Sequence, residues 1–249
     1  MNHYKSFEKI LKITNKNNRA IEIVHYIVST YNKKLGVFKN RINAEDFVPK
    51  NTNSKEKALF LFYVIQLDYA MKSERLYKGA IKLLKYDKKY FNPKVILNLK
   101  QIKLKSIIKK FLNPRYINEA VNRWKKNSKV LIEEYKGDPI NIFKHSNNAL
   151  IIEKRIREFR GFGPKIGNFF FRAMVNTFQF KLNNIEEITQ PVDRHDIRLT
   201  YEWGLIGSKE INDKNIKMVK EILQKACIKA KKSWLVFDRA MWIMGSKKI

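Results

Sequence analysis

A chain of 249 residues with one cysteine, Cys227, cannot build a disulfide framework of its own. The same scarcity argues against a Cys-ligated zinc or iron–sulfur centre. Histidine is nearly as rare: His3, His25, His145 and His195 are too few for a His-rich metal site. Neither a metal nor a cofactor is therefore expected. Nowhere do eighteen apolar residues run together, so no membrane-spanning helix is expected. The first residues, Met1–Ile13, are broken by lysines and hold no apolar run of signal-peptide length, which points to an intracellular protein. Acidic residues are the last shortage, with 23 Asp and Glu against 52 Lys and Arg and a net charge of +29. Such a chain repels itself unless a polyanion is near. Nucleic acid, held through counterion release, is the partner that suits it. An anionic membrane surface is the competing partner, but the basic residues are spread along the whole chain and form no single amphipathic anchor.

What is present is enough apolar matter to fold. A hydrophobic content of 44% with 12% aromatics belongs to a globular protein. Residues 1–249 are read as one compact protein, in a single domain or in two packed lobes with a central cleft. The apolar spacing is helical almost throughout, as in Ile21, Val24, Ile27, Val28 and Tyr31, and again in Leu59, Tyr63, Ile65 and Tyr69. Asn53 with Glu56 spells a capping box ahead of Ala58–Leu67. Asn92-Pro93 and Asn113-Pro114 each offer a cap followed by proline in the first turn. Gly137 and Asp138-Pro139 end the helix that begins near Arg115. Only residues 36–48 leave room for short extended pieces. The reading is an all-α protein of roughly ten helices.

The informative stretch runs from Ala149 to Leu199. Leu150–Phe159 is an amphipathic helix; Arg160-Gly161-Phe162-Gly163-Pro164-Lys165 follows, and a second helix carries Phe169, Phe170 and Phe171. Residues 148–180 thus spell a helix-hairpin-helix. Its glycines allow a tight turn and let a DNA phosphate approach backbone N–H groups at the second helix's positive end. Taken alone, the turn also reads as an ordinary link between two helices. After a polar spacer comes Pro191-Val192-Asp193, in which Asp193 can cap the next helix while keeping a carboxylate oxygen for other work.

These two motifs together resemble the helix-hairpin-helix DNA glycosylase superfamily, whose members carry G-x-G-x-K, a second helix and then a [P/A]-V-D motif. The resemblance implies a two-lobed all-helical glycosylase fold. It also implies Lys165 as the Schiff-base nucleophile of bifunctional members and Asp193 as the catalytic carboxylate. The interval between them is longer than in the endonuclease-III-like branch, whose four-cysteine cluster a one-cysteine chain cannot build. Pro191-Val192-Asp193 with Arg198-Leu199-Thr200, Gly204-Leu205-Ile206 and a last helix bearing Asp238 and Trp242 is similar to the archaeal 8-oxoguanine DNA glycosylase/abasic-site lyases. Excision of an oxidised purine through a Lys Schiff base and β-elimination is what this likeness implies. Alternatives are the same fold acting on another damaged base, or a non-catalytic helix-hairpin-helix DNA-binding protein. The implied partner is double-stranded DNA containing a damaged base, bound by a monomer that works with the chromosome, in the cytoplasm or nucleoid of a prokaryote.

The residue chemistry suits that reading. A free lysine is neutral in only about one molecule in 2,500 at pH 7, so neutralising it costs about 4.6 kcal/mol. A helix amino end and surrounding cations reduce that cost for Lys165, whereas a carboxylate nearby raises it. Breaking a glycosidic bond builds oxocarbenium charge that an ionised Asp193 stabilises. Residues 191–249 would carry this carboxylate and the base pocket. There Asp238 and Trp242, four apart on one helical face, could accept from ring N–H groups and stack on an everted base, or Trp242 could be core. Tyr69, Tyr77 and Phe169 are further candidates for the pocket, with packing between helices as the alternative for the tyrosines. Gly161, Gly163, Arg160, Lys72, Ser73 and His195 are the candidates for phosphate contact.

Overall fold

Helix-forming spacing along almost the whole chain is realised in a computed structural model that describes the backbone of residues 2–247 and the side chains of residues 7–247. Met1, Lys248 and Ile249, which the expected spans 1–249 and 191–249 include, lie outside the described residues. Among the described residues there are twelve α-helices and no strand. A lone parallel bridge joins Asn148 and Asn183. The chain divides into two units, residues 42–188 and residues 1–41 with 189–249.

The unit 42–188 holds α3 (Ser54–Ile65), α4 (Ser73–Tyr86), α5 (Pro93–Asn98), α6 (Gln101–Phe111), α7 (Ile117–Tyr135), α8 (Ala149–Arg157) and α9 (Pro164–Phe178). The Asn53–Glu56 capping box starts α3, and Asn92 accepts from the Lys94 amide to start α5 behind Pro93. Beyond its polar first turn helix α3 is apolar on every side, and all residues from Ala58 to Ile65 are buried, which makes it this unit's central rod. Its Phe62 meets Phe159, Phe162 and Phe170 at 5.0, 5.4 and 5.7 Å between ring centroids. Burying each such ring contributes about 2–3 kcal/mol, so the hairpin is fastened to α3 chiefly by this cluster.

Two sequence expectations are corrected here. Asn113-Pro114 does not start a helix: Asn113 adopts φ +43°, and its N–H donates to the Ile108 carbonyl at 2.9 Å. It closes α6 instead, in the left-handed position that asparagine tolerates best after glycine. Residues 36–48 hold 3-10 turns, Gly36–Lys39 and Ala44–Phe47, where extended pieces seemed possible. A second capping box, between Asn43 and Asp46, favours the latter turn.

The unit made of residues 1–41 and 189–249 holds α1 (Asn2–Leu11), α2 (Lys16–Asn32), α10 (Arg194–Glu202), α11 (Asp213–Lys229) and α12 (Trp234–Ser246). Helix α2 packs on α11 and α12, burying Ile23, Val24, Ile27 and Val28. Helices α10 and α12 approach so closely that a Cβ at Gly245 would stand 2.5 Å from the His195 Cβ. Glycine alone permits that crossing. Arg198 Nη2 donates to the Gly245 carbonyl at 3.0 Å and fastens it.

Candidate active site

Residues 158–163 turn the chain between α8 and α9 by a short sequence of backbone devices. The Phe162 N–H donates to the Phe159 carbonyl, and Gly161 sits at φ +83°. A Cβ on Gly161 would lie 2.7 Å from the Arg123 guanidinium, the movable end of a long side chain, so it is the backbone conformation that calls for glycine. The base of the hairpin is closed by Ala149 N–H to the Asn183 carbonyl at 3.0 Å and Asn183 N–H to the Asn147 carbonyl at 2.7 Å. Buried Asn127 clasps the turn from α7. It donates to the Arg160 carbonyl at 3.0 Å and to Gln66 Oε1 at 2.9 Å, and it accepts from the Arg160 N–H at 2.8 Å.

Gly163 is different. Its φ of −68° suits any residue, and a Cβ there would meet nothing within 4 Å. It is the N-cap of α9 but has no side chain to cap with, so no side chain satisfies the first-turn amides from that position. Pro164 fills the first helical place and Lys165 the second. Lys165 is exposed, at the positive end of a fifteen-residue helix with no acidic residue in its first turn. A phosphate approaching this end gives Gly163 a reason that folding does not. Gly163→Ala is therefore expected to change stability by less than about 1 kcal/mol. It should nonetheless weaken duplex binding about tenfold, equivalent to roughly 1.4 kcal/mol. Thermal melting and fluorescence anisotropy check the two halves; equal affinity would remove Gly163 from the binding surface.

One face of α9 continues from Lys165 through Phe169 to Arg172. The Arg172 guanidinium lies 4.7 Å from the centre of the half-buried Phe169 ring, and its Nε stands 3.3 Å from Glu45 Oε1 in a pair with side chains only 3% and 4% exposed. Asp68 stands just beyond the end of α3. Ser73 Oγ donates to Asp68 Oδ1 at 2.7 Å, and the Tyr77 hydroxyl donates to Asp68 Oδ2. Burial pushes the Asp68 carboxyl above the ordinary carboxylate range; those two hydroxyls and the charges of Lys165 and Arg172 pull against it. Burial and the adjoining Asp68 together drive the Tyr77 hydroxyl well above the usual phenol range.

The other candidates of this unit take varied positions. Tyr77 is fully buried against Phe47 at 5.4 Å, so its ring is core and its hydroxyl serves Asp68. Ser73 is likewise turned to Asp68, while Lys72 is exposed as the N-cap of α4. Tyr69 is 53% exposed and meets the similarly exposed Tyr116 at 6.2 Å, with the Arg115 guanidinium 5.4 Å from the Tyr116 ring. This aromatic pair escaped the sequence reading because Tyr116 belongs to an irregular loop. Arg160, expected on phosphate, forks onto Glu119 at 3.0 and 3.1 Å. Arg160 and then Arg123 hold the Glu119 carboxyl down at about 2, against partial burial.

Asp193 lies in the other unit, as the N-cap of α10. Its Oδ1 accepts from the His195 amide at 2.7 Å and from the Asp196 amide at 3.4 Å. Asp196 returns the bond, accepting from the Asp193 N–H at 2.6 Å, so the capping box fixes the carboxylate on a rigid helix end. His195 is half-buried against Gly245 of α12. That helix also bears Asp238, 3% exposed, and the half-buried Trp242 one turn on. Asp238 is close enough to act on Cys227, whose thiol is pushed up to about 12 by burial and then by that negative charge. Cys227 is consequently an inert core residue. Among the described residues, no group of three or more His, Cys, Asp or Glu side chains could hold a metal ion, and no helix is long and apolar enough to cross a membrane.

No protein-family description matches the chain, and no curated protein matches it. Among solved structures it is similar to a thermostable thymine-DNA glycosylase, with a TM-score of 0.59 and 17% sequence identity over 93% of this chain and 88% of that one. The chain has the all-helical fold of that glycosylase.

Proposed function

We propose that this chain is a bifunctional DNA glycosylase and abasic-site lyase that excises an oxidised purine, 8-oxoguanine, from double-stranded DNA. The observation that carries the reading is Lys165 itself, an exposed amine in the first turn of a helix whose cap, Gly163, opens onto empty space. Backbone amides there take a phosphate, and the amine beside them faces a sugar. The charge of +29 supports duplex binding with a steep salt dependence. Gly161 shapes the loop, and Lys72, His195 and Arg160, the last paired with Glu119, are the candidates for backbone contacts.

The target base leaves the stack at a cost of a few kcal/mol. The aromatic candidates for contact with it are Trp242 in one unit and Phe169 with the exposed pair Tyr69 and Tyr116 in the other. Asp238 accepts from N7–H, the donor that 8-oxoguanine has and guanine lacks. As the C1′–N9 bond breaks, ionised Asp193 stabilises positive charge on the sugar. The Lys165 lone pair closes on C1′, giving an iminium once the ring oxygen leaves. Loss of a C2′ proton then expels the 3′ phosphate.

A second reading, excision of a mispaired thymine, follows from the likeness in fold to a thymine-DNA glycosylase. Duplexes bearing 8-oxoguanine opposite each normal base, a G·T mispair and undamaged controls distinguish the two. The expected outcome is base release and strand cleavage at 8-oxoguanine at least about a hundredfold faster than at G·T, a discrimination within reach of one well-placed polar contact. Faster release of thymine would favour the second reading, and no release from any duplex would leave a binding protein.

A further inference from the structure

Residues 78–111, from α4 to the end of α6, concentrate eleven lysines against a single acid, Asp87. All eleven lysines are exposed. Asp87 pairs with Lys89 at 2.6 Å, while Glu74 and Glu56 reach in to pair with Lys78 and Lys88 at 2.7 and 3.0 Å. We propose that the surface where α4 and α6 end side by side binds single-stranded DNA, with Lys82, Lys85, Lys109 and Lys110 on its phosphates and Tyr86 against a base. This surface is made of other residues than the hairpin. That its partner is DNA and not RNA rests on the reading above.

Two features meet there. The first is a close crossing of helices. A Cβ on Gly79 would stand 2.2 Å from the Phe111 carbonyl oxygen, so glycine lets the middle of α4 rest on the end of α6. Lysines from two separate segments are thereby gathered: Lys82 and Lys85 follow Gly79, and Lys109 and Lys110 precede Phe111. The helix dipoles favour Lys85, Lys109 and Lys110 in the last turns of α4 and α6, a folding reason that does not reach Lys82. The second feature is an open ring in their midst. Tyr86, four residues after Lys82 on the same face of α4, is 56% exposed. Tyr90, stacked on it at 6.3 Å with the planes 11° apart, is buried. The Phe111 ring lies 5.0 Å from Tyr86, and Lys110 Nζ rests 5.0 Å from the centre of the same ring. Tyr86 is thus the open end of a stack rooted in the core, edged by an ammonium.

Lysines around an open ring fit a single strand better than its rivals. Phosphates take the ammonium groups, and an unpaired base continues the stack on Tyr86, sending Lys110 to the neighbouring phosphate. A duplex keeps its bases on one another and would leave Tyr86 idle. An anionic membrane needs an apolar face to enter, and the exposed Ile102, set among Lys100, Lys103 and Lys105, supplies too little of one.

The test is fluorescence anisotropy of the full chain with a labelled oligothymidylate of about fifteen nucleotides, over a series of salt concentrations. One variant combines Lys82→Gln, Lys85→Gln, Lys109→Gln and Lys110→Gln. Each phosphate contact on a single strand contributes about 0.7 to the salt slope, so losing four should flatten it by about 3. Tyr86→Leu should weaken binding about tenfold and leave the slope as it is, since stacking releases no counterions. Both variants should melt with the wild type and release base from lesion duplexes at its rate. An unchanged slope and affinity in the four-lysine variant would overturn the proposal, whether or not Tyr86→Leu folds. A folded Tyr86→Leu protein that binds as the wild type does, or a four-lysine variant that loses intact duplex as steeply as oligothymidylate, would overturn the single strand as occupant. Tighter binding of oligouridylate would overturn DNA. Capture by anionic vesicles, lost in the four-lysine variant and without oligonucleotide binding, would put a membrane in its place. A wild-type protein that binds the oligonucleotide but releases no base from any duplex would overturn the enzymatic reading and leave this surface standing.

Discussion

Lys165→Gln should abolish the borohydride-trapped adduct with lesion DNA and slow strand cleavage by on the order of 10⁴-fold, as for loss of a covalent nucleophile. The structure makes this variant informative. Lys165 occupies the second position of α9 and is exposed, and its stem is no part of the Phe62–Phe159–Phe162–Phe170 cluster that secures the hairpin. Glutamine keeps most of the length and the helix propensity while removing the amine. Duplex affinity should fall only about twofold to fivefold, the share of one phosphate-proximal charge among many. On the proposed mechanism some base release should survive, because Asp193 would act before the amine. Retention of a trapped adduct at wild-type yield would mean that another amine is the nucleophile.

The second large effect is expected at Asp193. Asp193→Asn should slow base excision about 10²- to 10⁴-fold, equivalent to about 3–5 kcal/mol of lost transition-state stabilisation. The fold should tolerate it. Asparagine caps a helix about as well as aspartate, and its Oδ1 can still accept from the His195 and Asp196 amides. Asp193→Asn therefore separates the charge from the cap, which Asp193→Ala would not, since alanine loses about 1 kcal/mol of capping as well. Measured by single-turnover base release, with melting as the control, an Asn variant of full activity would reduce Asp193 to a plain N-cap.

Local signals in the sequence translate well where the physics is local. Asn53 with Glu56, Asn92 with Pro93, and Asp193 before α10 all cap as their spacing predicts, because each bond closes within three residues. Asn113-Pro114 misleads for an instructive reason. An Asn-Pro pair suits a helix start, but a left-handed Asn also suits a helix end, and only the preceding Ile108 carbonyl decides between them. Residues 36–48 lack helical periodicity because 3-10 turns are too short to show any, though Asn43 and Asp46 already carried a capping-box spacing.

The candidate site was legible only in part, and the missing part is long-range. Nothing local distinguishes Asp68 from other surface acids; Ser73 and Tyr77 draw it inward. Tyr77 reads as pocket or, better, as packing between helices, and its burial bears out the packing. Arg160 reads as a phosphate ligand, and nothing local announces that Glu119, from the start of α7, meets it through two hydrogen bonds. The hairpin, by contrast, was legible because its glycines answer a local demand at Gly161 and leave Gly163 unexplained by folding.

The most direct measurement is the chemical identity of the covalent adduct. An 8-oxoguanine duplex incubated with the full chain, reduced with borohydride and digested, should yield one cross-linked peptide, with the sugar remnant on Lys165 Nζ. A remnant on any other residue, or no adduct despite base release, would contradict the assignment of Lys165 as the amine that attacks the damaged nucleoside.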